Sequence, residues 1–179
     1  MTTDVFTQFI RSSQEPSWLE DNVLHHRIMV IDEGFYKGMR DKLYERFQSG
    51  ASVILYEMGL GYGDIMGKDM VNMGVSKFET ITKFMELGKK RGYGEFHIPL
   101  LRSFLSTLKG EPVVSFKNSF FATSVGRTGK AECYIMAGII AGASRVLLNK
   151  EFVCVEEKCL CKGDSSCEFK LKESQNTAS

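Results

Sequence analysis

The strongest constraint on this chain is a run of sulfur. The stretch "CVEEKCLCKGDSSCEFKL", Cys154 to Leu171, holds four of the chain's five cysteines. These thiols can bridge each other, attack a substrate, hold a metal or fill a core. An odd cysteine total argues against a full set of disulfides. The N-terminus, "MTTDVFTQFIRSSQEPSW", has neither the basic start nor the apolar run of a secretory signal. The expectation is therefore a cytoplasmic protein, where thiols stay reduced and clustered cysteines act as metal ligands more often than as bridges. A catalytic cysteine would want a base close by. His25, His26 and His97 are all distant in sequence, and Cys159 and Cys161 form only C-x-C, not the redox C-x-x-C.

Metal binding fits the pattern better. "FVCVEE" reads as a strand, and "CEFKLK" alternates, with Cys167, Phe169 and Leu171 on one face and Glu168, Lys170 and Lys172 on the other. Residues 161–166 then form a hairpin loop, with turn chemistry from Gly163 and Asp164. Cys159 and Cys167 flank that loop. Glu156 ends the incoming strand. Cys133 falls in the first turn of a helix read over 129–148, where the helix dipole favours a thiolate. A helix start packed on a hairpin can complete a tetrahedron. Lys158, Lys162 and Lys170 are expected to offset its negative charge.

Upstream, "RIMVID" (27–32) suits a strand. Asp32 can cap a helix in which Phe35, Met39, Leu43 and Phe47 recur every four residues, with Gly50 where it would end. A second helical pattern from Ala51 puts Ile54, Leu55, Met58, Ile65 and Met66 on one side. "GLGYGDIMG" within it invites a nucleotide-binding reading, but Asp64 stands at the third glycine position of G-x-G-x-x-G, and no strand precedes it. Small residues at a close helix contact are the better reading. "GEFHIPLL" and "PVVSFKNSFFATSV" have the aromatic and β-branched content of strands. Helices first, then strands with one helix inserted, predict an α+β domain: an antiparallel sheet packed with several helices and a metal-pinned C-terminal hairpin. Residues 1–25 read as a short helical arm, 26–172 as the domain and 173–179 as a disordered tail. A net charge of +1 implies no general attraction to nucleic acid, and no stretch reaches the roughly 20 apolar residues of a membrane span.

The spacing C-x22-E-x2-C-x7-C, here Cys133, Glu156, Cys159 and Cys167, resembles the zinc site of the 4-vinyl reductase domain family. The helix "CYIMAGIIAGASRVLL" and the closing "CEF" extend the likeness over 128–172, and it runs on weakly but in order over 27–127. The family includes sensor domains of aromatic-responsive transcription activators and is distantly related to vesicle-tethering transport particle subunits. The resemblance implies one zinc ion. Cys154 and Cys161 depart from the family pattern and keep the ligand set open, since Cys161 in place of Glu156 would make an all-cysteine site. The expected set is Cys133, Glu156, Cys159 and Cys167, with Cys154 in the core and Cys161 a loop thiol. Four protein ligands leave no open position, so such a zinc is structural.

The resemblance further implies a pocket for an apolar or aromatic small molecule beside the hairpin, which His97, Phe96, Phe116, Phe120, Phe121 and Tyr134 could line. Ordinary core packing is the competing reading for the aromatics. The function expected is a sensor or carrier domain acting through a protein partner, and the alternative is an enzyme or accessory of tetrapyrrole metabolism. No nicotinamide, flavin or acid–base motif supports a catalyst. A homodimer is expected from the family's habit and from the small-residue face Ala137, Gly138, Ala141 and Gly142, a face that could equally pack on the sheet inside one subunit.

Overall fold

The computed structural model describes residues 10–12, 19–21, 24–74, 77–97 and 112–174. Three short antiparallel strands open the chain: β1 (Ile10–Ser12), β2 (Leu19–Asp21) and β3 (Arg27–Ile28), in the order β1-β2-β3. The helical reading of residues 1–25 fails where they are described, because 10–12 and 19–21 are strands. "RIMVID" is strand only over Arg27–Ile28.

Three helices follow: α1 (Glu33–Phe47), α2 (Gly50–Asn72) and α3 (Lys77–Lys90). Asp32 caps α1 as expected, its side chain accepting from the Phe35 amide at 2.8 Å. Gln48, at φ 49°, turns the chain out of α1, and Gly50 opens α2 instead of ending α1. The four-residue stripe of α1 does not face the core. Tyr36 is the buried side chain, whereas Phe35 and Phe47 are exposed. The core face of α2 is likewise rotated. Ala51, Leu55, Gly59, Gly63, Met66, Gly67 and Met70 are buried, and Met58 and Ile65 point outward.

The second sheet is fully antiparallel, in the order β4-β5-β7-β6. Its strands are β4 (Glu95–His97), β5 (Val113–Lys117), β6 (Phe152–Lys158) and β7 (Cys167–Glu173). Two more helices sit between β5 and β6: α4 (Phe120–Val125) and α5 (Tyr134–Leu148). "FFATSV" is therefore a helix, not a strand. Asn118 at φ 53° turns the chain after β5, and Phe121, Ala122 and Ser124 are then buried at helical spacing. The alternation of β7 holds: Cys167, Phe169 and Leu171 are buried. Glu173, read as tail, belongs to β7, where it pairs with Phe152.

Helix α5 is buried nearly all round, from Met136 to Ala143, as expected of a helix covered on two sides. One side meets β6; the other meets α2 through glycine. A Cβ added at Gly63 would lie 2.9 Å from the Ala143 amide nitrogen and nearer still to the Ile139 carbonyl oxygen. One added at Gly138 would lie 2.7 Å from the Leu60 amide nitrogen, and one at Gly142 2.9 Å from that of Asp64. The two backbones thus touch directly. The glycines of "GLGYGDIMG" make a helix seam, and the small-residue face of α5 packs on α2 in the same chain, neither on the sheet nor on a second copy. An ion pair between Arg145 and Asp64 ties the seam at its edge.

Candidate metal centre

The loop joining β6 to β7 sets the site. It starts at Cys159, earlier than the 161 expected, and contains a 3-10 turn at Leu160–Lys162. Its amides fold inward: Lys162 N and Asp164 N both donate to the Cys159 carbonyl, at 2.9 and 3.2 Å. The Asp164 carboxylate accepts from Cys159 N at 2.8 Å. Gly163 closes the turn at φ 103°, a conformation costly for any residue with a Cβ. Thr128 N and Gly129 N both donate to the Cys161 carbonyl at 3.0 Å, which brings the approach to α5 against the turn. Cys133 is the residue before α5, not in its first turn.

These contacts bring four ligand atoms together. One each from Cys133, Glu156, Cys159 and Cys167 lie within 4.8 Å of one another, a group that could hold a metal ion. The sulfur separations are 4.0 Å (133–159), 3.7 Å (133–167) and 3.9 Å (159–167). Thiolates about 2.3 Å from a tetrahedral ion stand about 3.8 Å apart, so the triangle fits. It does not fit a disulfide, and all five cysteines are free. Glu156 Oε2 accepts from the Cys133 amide at 2.9 Å, which orients the carboxylate. Its Oε1 is buried with no hydrogen-bond partner in the protein. An orphaned carboxylate oxygen beside three sulfurs is what a bound cation would satisfy.

The sulfurs also receive outer donors. Leu160 N approaches Cys167 Sγ and Cys161 N approaches Cys159 Sγ, each at 3.4 Å, and the buried Ser119 hydroxyl lies 3.6 Å from Cys133 Sγ. Cys161 itself turns its thiol to the Ala122 carbonyl at 3.4 Å, and Cys154 is packed in the core. Neither is in the four-atom group.

The electrostatics are those of a crowded, desolvated site. Burial, then the neighbouring Cys159, pushes Glu156 up to about 8. Hydrogen bonding to Cys159 and Cys167 holds the Cys133 thiol far above its ordinary range, and the same contacts pull Cys159 far below. Four such groups cannot all ionise together without a compensating charge. A divalent cation would favour the ionised form of each.

The lysines expected to compensate are engaged at the surface. Lys158 pairs with Glu168 at 3.0 Å, and Lys162 donates to the Glu157 carbonyl. The cation near the site is instead Arg40 of α1. It grips Glu132, which is fully buried beside Cys133, through Nη2 at 2.6 Å and Nε at 3.3 Å. Arg40 also lies over the Tyr44 ring, 4.3 Å from its centroid. A glutamate directly before a helix-start cysteine was a visible signal for Glu132. Nothing local pointed to Arg40, 92 residues away.

The six candidate pocket residues do not form one group. Phe96 and Phe116 stack at 4.0 Å between ring centroids, with Phe169 5.4 Å from Phe116. Phe120 and Phe121 form a second cluster with Tyr36 and Tyr93, at 5.1–5.9 Å. Tyr134 is half-buried and lies by Glu132 and Tyr44. His97 is exposed, because strand alternation on β4 turns Phe96 inward and its neighbour outward. Sequence reasoning missed Tyr36, which is buried with its hydroxyl lacking a partner in the protein.

Residues 112–173 match the 4-vinyl reductase domain family, and this segment holds the four clustered ligands. Two uncharacterized proteins of Methanocaldococcus jannaschii are each 27% identical over 123 residues. Those matches cover 69% and 68% of this chain, but only 65% and 45% of the relatives' own lengths. Among solved structures, the fold is similar to the phenol-responsive sensory domain of the transcription activator PoxR, crystallised with phenol. That likeness has a TM-score of 0.75 at 15% identity and covers 94% of this chain and 86% of that one. A vinyl-4-reductase family protein from Methanocaldococcus jannaschii gives 0.56 at 20% identity, covering 79% and 78%. A trafficking protein particle complex subunit 3 from Naegleria fowleri, covalently bound to palmitic acid, gives 0.60 at 17% identity, covering 80% and 93%.

Proposed function

Residues 112–173 of this chain are a 4-vinyl reductase domain, and from that premise we propose a small-molecule-binding sensor or carrier domain whose C-terminal hairpin is pinned by one structural zinc ion. The observation that carries the zinc is the convergence of three thiols and one carboxylate at tetrahedral spacing. Cys133, Glu156, Cys159 and Cys167 would hold the ion and leave no position open to substrate. When bound, zinc supplies a cross-link between the start of α5 and the β6–β7 loop. The chain's own residues supply the rest. The inward amides of the loop orient the sulfurs, and Arg40 neutralises Glu132 beside them.

The sensor reading is supported by the likeness to the PoxR sensory domain across 94% of the chain. The ligand in this reading is apolar or aromatic, bound among the two aromatic clusters that contain Phe96, Phe116, Phe120 and Phe121, with Tyr134 at the metal side. His97 would take part only through a different arrangement of β4. The protein works as a homodimer in the cytoplasm and passes its signal to a protein partner. Among the described residues no helix is long and apolar enough to cross a membrane.

Native mass spectrometry of freshly purified protein tests metal, ligand and assembly together. One zinc per chain and a colourless aromatic or fatty molecule released on denaturation are expected. A coloured preparation carrying a tetrapyrrole would overturn this reading in favour of the reductase-like alternative, and a chain free of metal would overturn the zinc.

A further inference from the structure

The apolar stripes read in the sequence of α1 and α2 find no cover within the described residues. Of twelve large apolar side chains that are exposed, ten lie between Met29 and Met73, and the other two are on β6. Phe35 and Phe47 mark the two ends of α1; Val53, Met58 and Ile65 run along α2; each is about half exposed or more. At roughly 200 Å² for a large side chain in the open, the ten leave on the order of 1,000 Å² uncovered. A monomer tolerates patches of a few hundred Å². A standard interface buries about 800 Å² per partner, so the exposed area matches one whole interface.

We propose that the outward face of α1 and α2 is the surface on which a second copy of this chain docks. The charge pattern favours a copy of itself. Helix α1 carries an acidic first turn at Glu33 and a basic last turn at Arg46. Antiparallel pairing of α1 about a two-fold axis sets Glu33 against Arg46 of the partner subunit, twice. The remaining outward charges are already paired within the helix, Lys37 with Asp41 and Lys42 with Glu45, so like charges do not confront each other. The small-residue face of α5 is excluded, because Gly138 and Gly142 lie against α2. The inference rests on the dimeric reading above but names a different surface from the one the sequence suggested.

Sedimentation equilibrium of the full chain at micromolar concentration tests it. The parent should sediment as a dimer. Met58→Lys and Ile65→Lys, both on exposed positions, should each raise the dissociation constant at least about tenfold, with unchanged circular dichroism. Val153→Lys, exposed on β6, should leave the dimer intact. A monomeric parent would overturn both the surface and the dimeric reading. A dimer unaffected by both α2 variants, or one lost equally in Val153→Lys, would overturn the surface and leave the dimeric reading standing.

Discussion

Replacing Gly63 by alanine adds one methyl group where two helix backbones touch. The new Cβ would sit 2.9 Å from the Ala143 amide nitrogen and closer to the Ile139 carbonyl oxygen. Neither neighbour is the end of a flexible side chain, so relief requires α5 and α2 to move apart. Their other contacts, at Gly59, Gly138 and Gly142, are equally tight. Overpacking of this kind costs about 1–3 kcal/mol, and the rigid backbone on both sides places Gly63→Ala at the upper end. Helix propensity works the other way, favouring alanine by about 1 kcal/mol. The net expectation is a loss of about 2 kcal/mol. Gly61 supplies the control, because it lies on the same helix and a Cβ there meets nothing within 4 Å. Gly61→Ala should therefore gain roughly 0.5–1 kcal/mol. Urea unfolding followed by circular dichroism reads both, and the midpoints should shift in opposite directions. A Gly63→Ala protein as stable as the parent, or a Gly61→Ala protein weakened as much as Gly63→Ala, would refute the seam.

Three further outcomes concern the metal centre. Cys159→Ala and Cys167→Ala should lose zinc and destabilise the C-terminal hairpin, because metal binding there is folding energy. Cys161→Ala should keep it, and Cys154→Ala should keep it with about 1 kcal/mol lost from the core; full zinc occupancy in Glu156→Ala together with none in Cys161→Ala would give the all-cysteine set. Binding takes the deprotonated ligands, and Glu156 keeps its proton up to about 8. Zinc affinity should therefore rise with pH through that range and fall toward acid, as read by competition with a chromophoric chelator; a flat profile between about pH 5 and 8 would count against Glu156 as a ligand. Arg40→Met should cost about 3–5 kcal/mol by leaving Glu132 charged and buried. Arg40→Met with Glu132→Gln should recover much of that loss in thermal unfolding, and no recovery would mean that Arg40 acts through packing instead.

Local rules read well wherever the local environment decides. The Asp32 cap, the alternation of β7 and the spacing of Cys159 and Cys167 around a turn all follow from neighbours a few residues apart. The structure departs from the sequence reading where distant residues decide. "FFATSV" has strand propensity, yet the chain turns at Asn118 and buries it as a helix. In α1 and α2 the most regular apolar stripes point outward, because Tyr36 and the glycines take the inward positions. Glycine scores as neither apolar nor periodic, so a seam built from it leaves no mark on hydrophobic patterning. The Arg40–Glu132 pair spans 92 residues and has no local signature.

The glycine seam also bears on the order in which the chain assembles. Cys133 and Cys167 are 34 residues apart, and β6 and β7 are neighbours in sequence. The seam joins Gly59 to Ile135, a separation of 135 − 59 = 76 residues. Closing the longer loop forfeits more chain entropy before any contact offsets it, so the C-terminal unit should form first and α2 dock onto it afterwards. Pulse-labelled hydrogen exchange during refolding should show α5 and hairpin amides protected before those of α2; simultaneous protection would disprove the sequence of events. On the ribosome the order of appearance is reversed, since α2 emerges well before α5 has been made. A helix whose buried face consists largely of bare backbone must then wait in solvent, with little to attract a wrong partner by hydrophobicity and no side chains to hold a right one until α5 arrives.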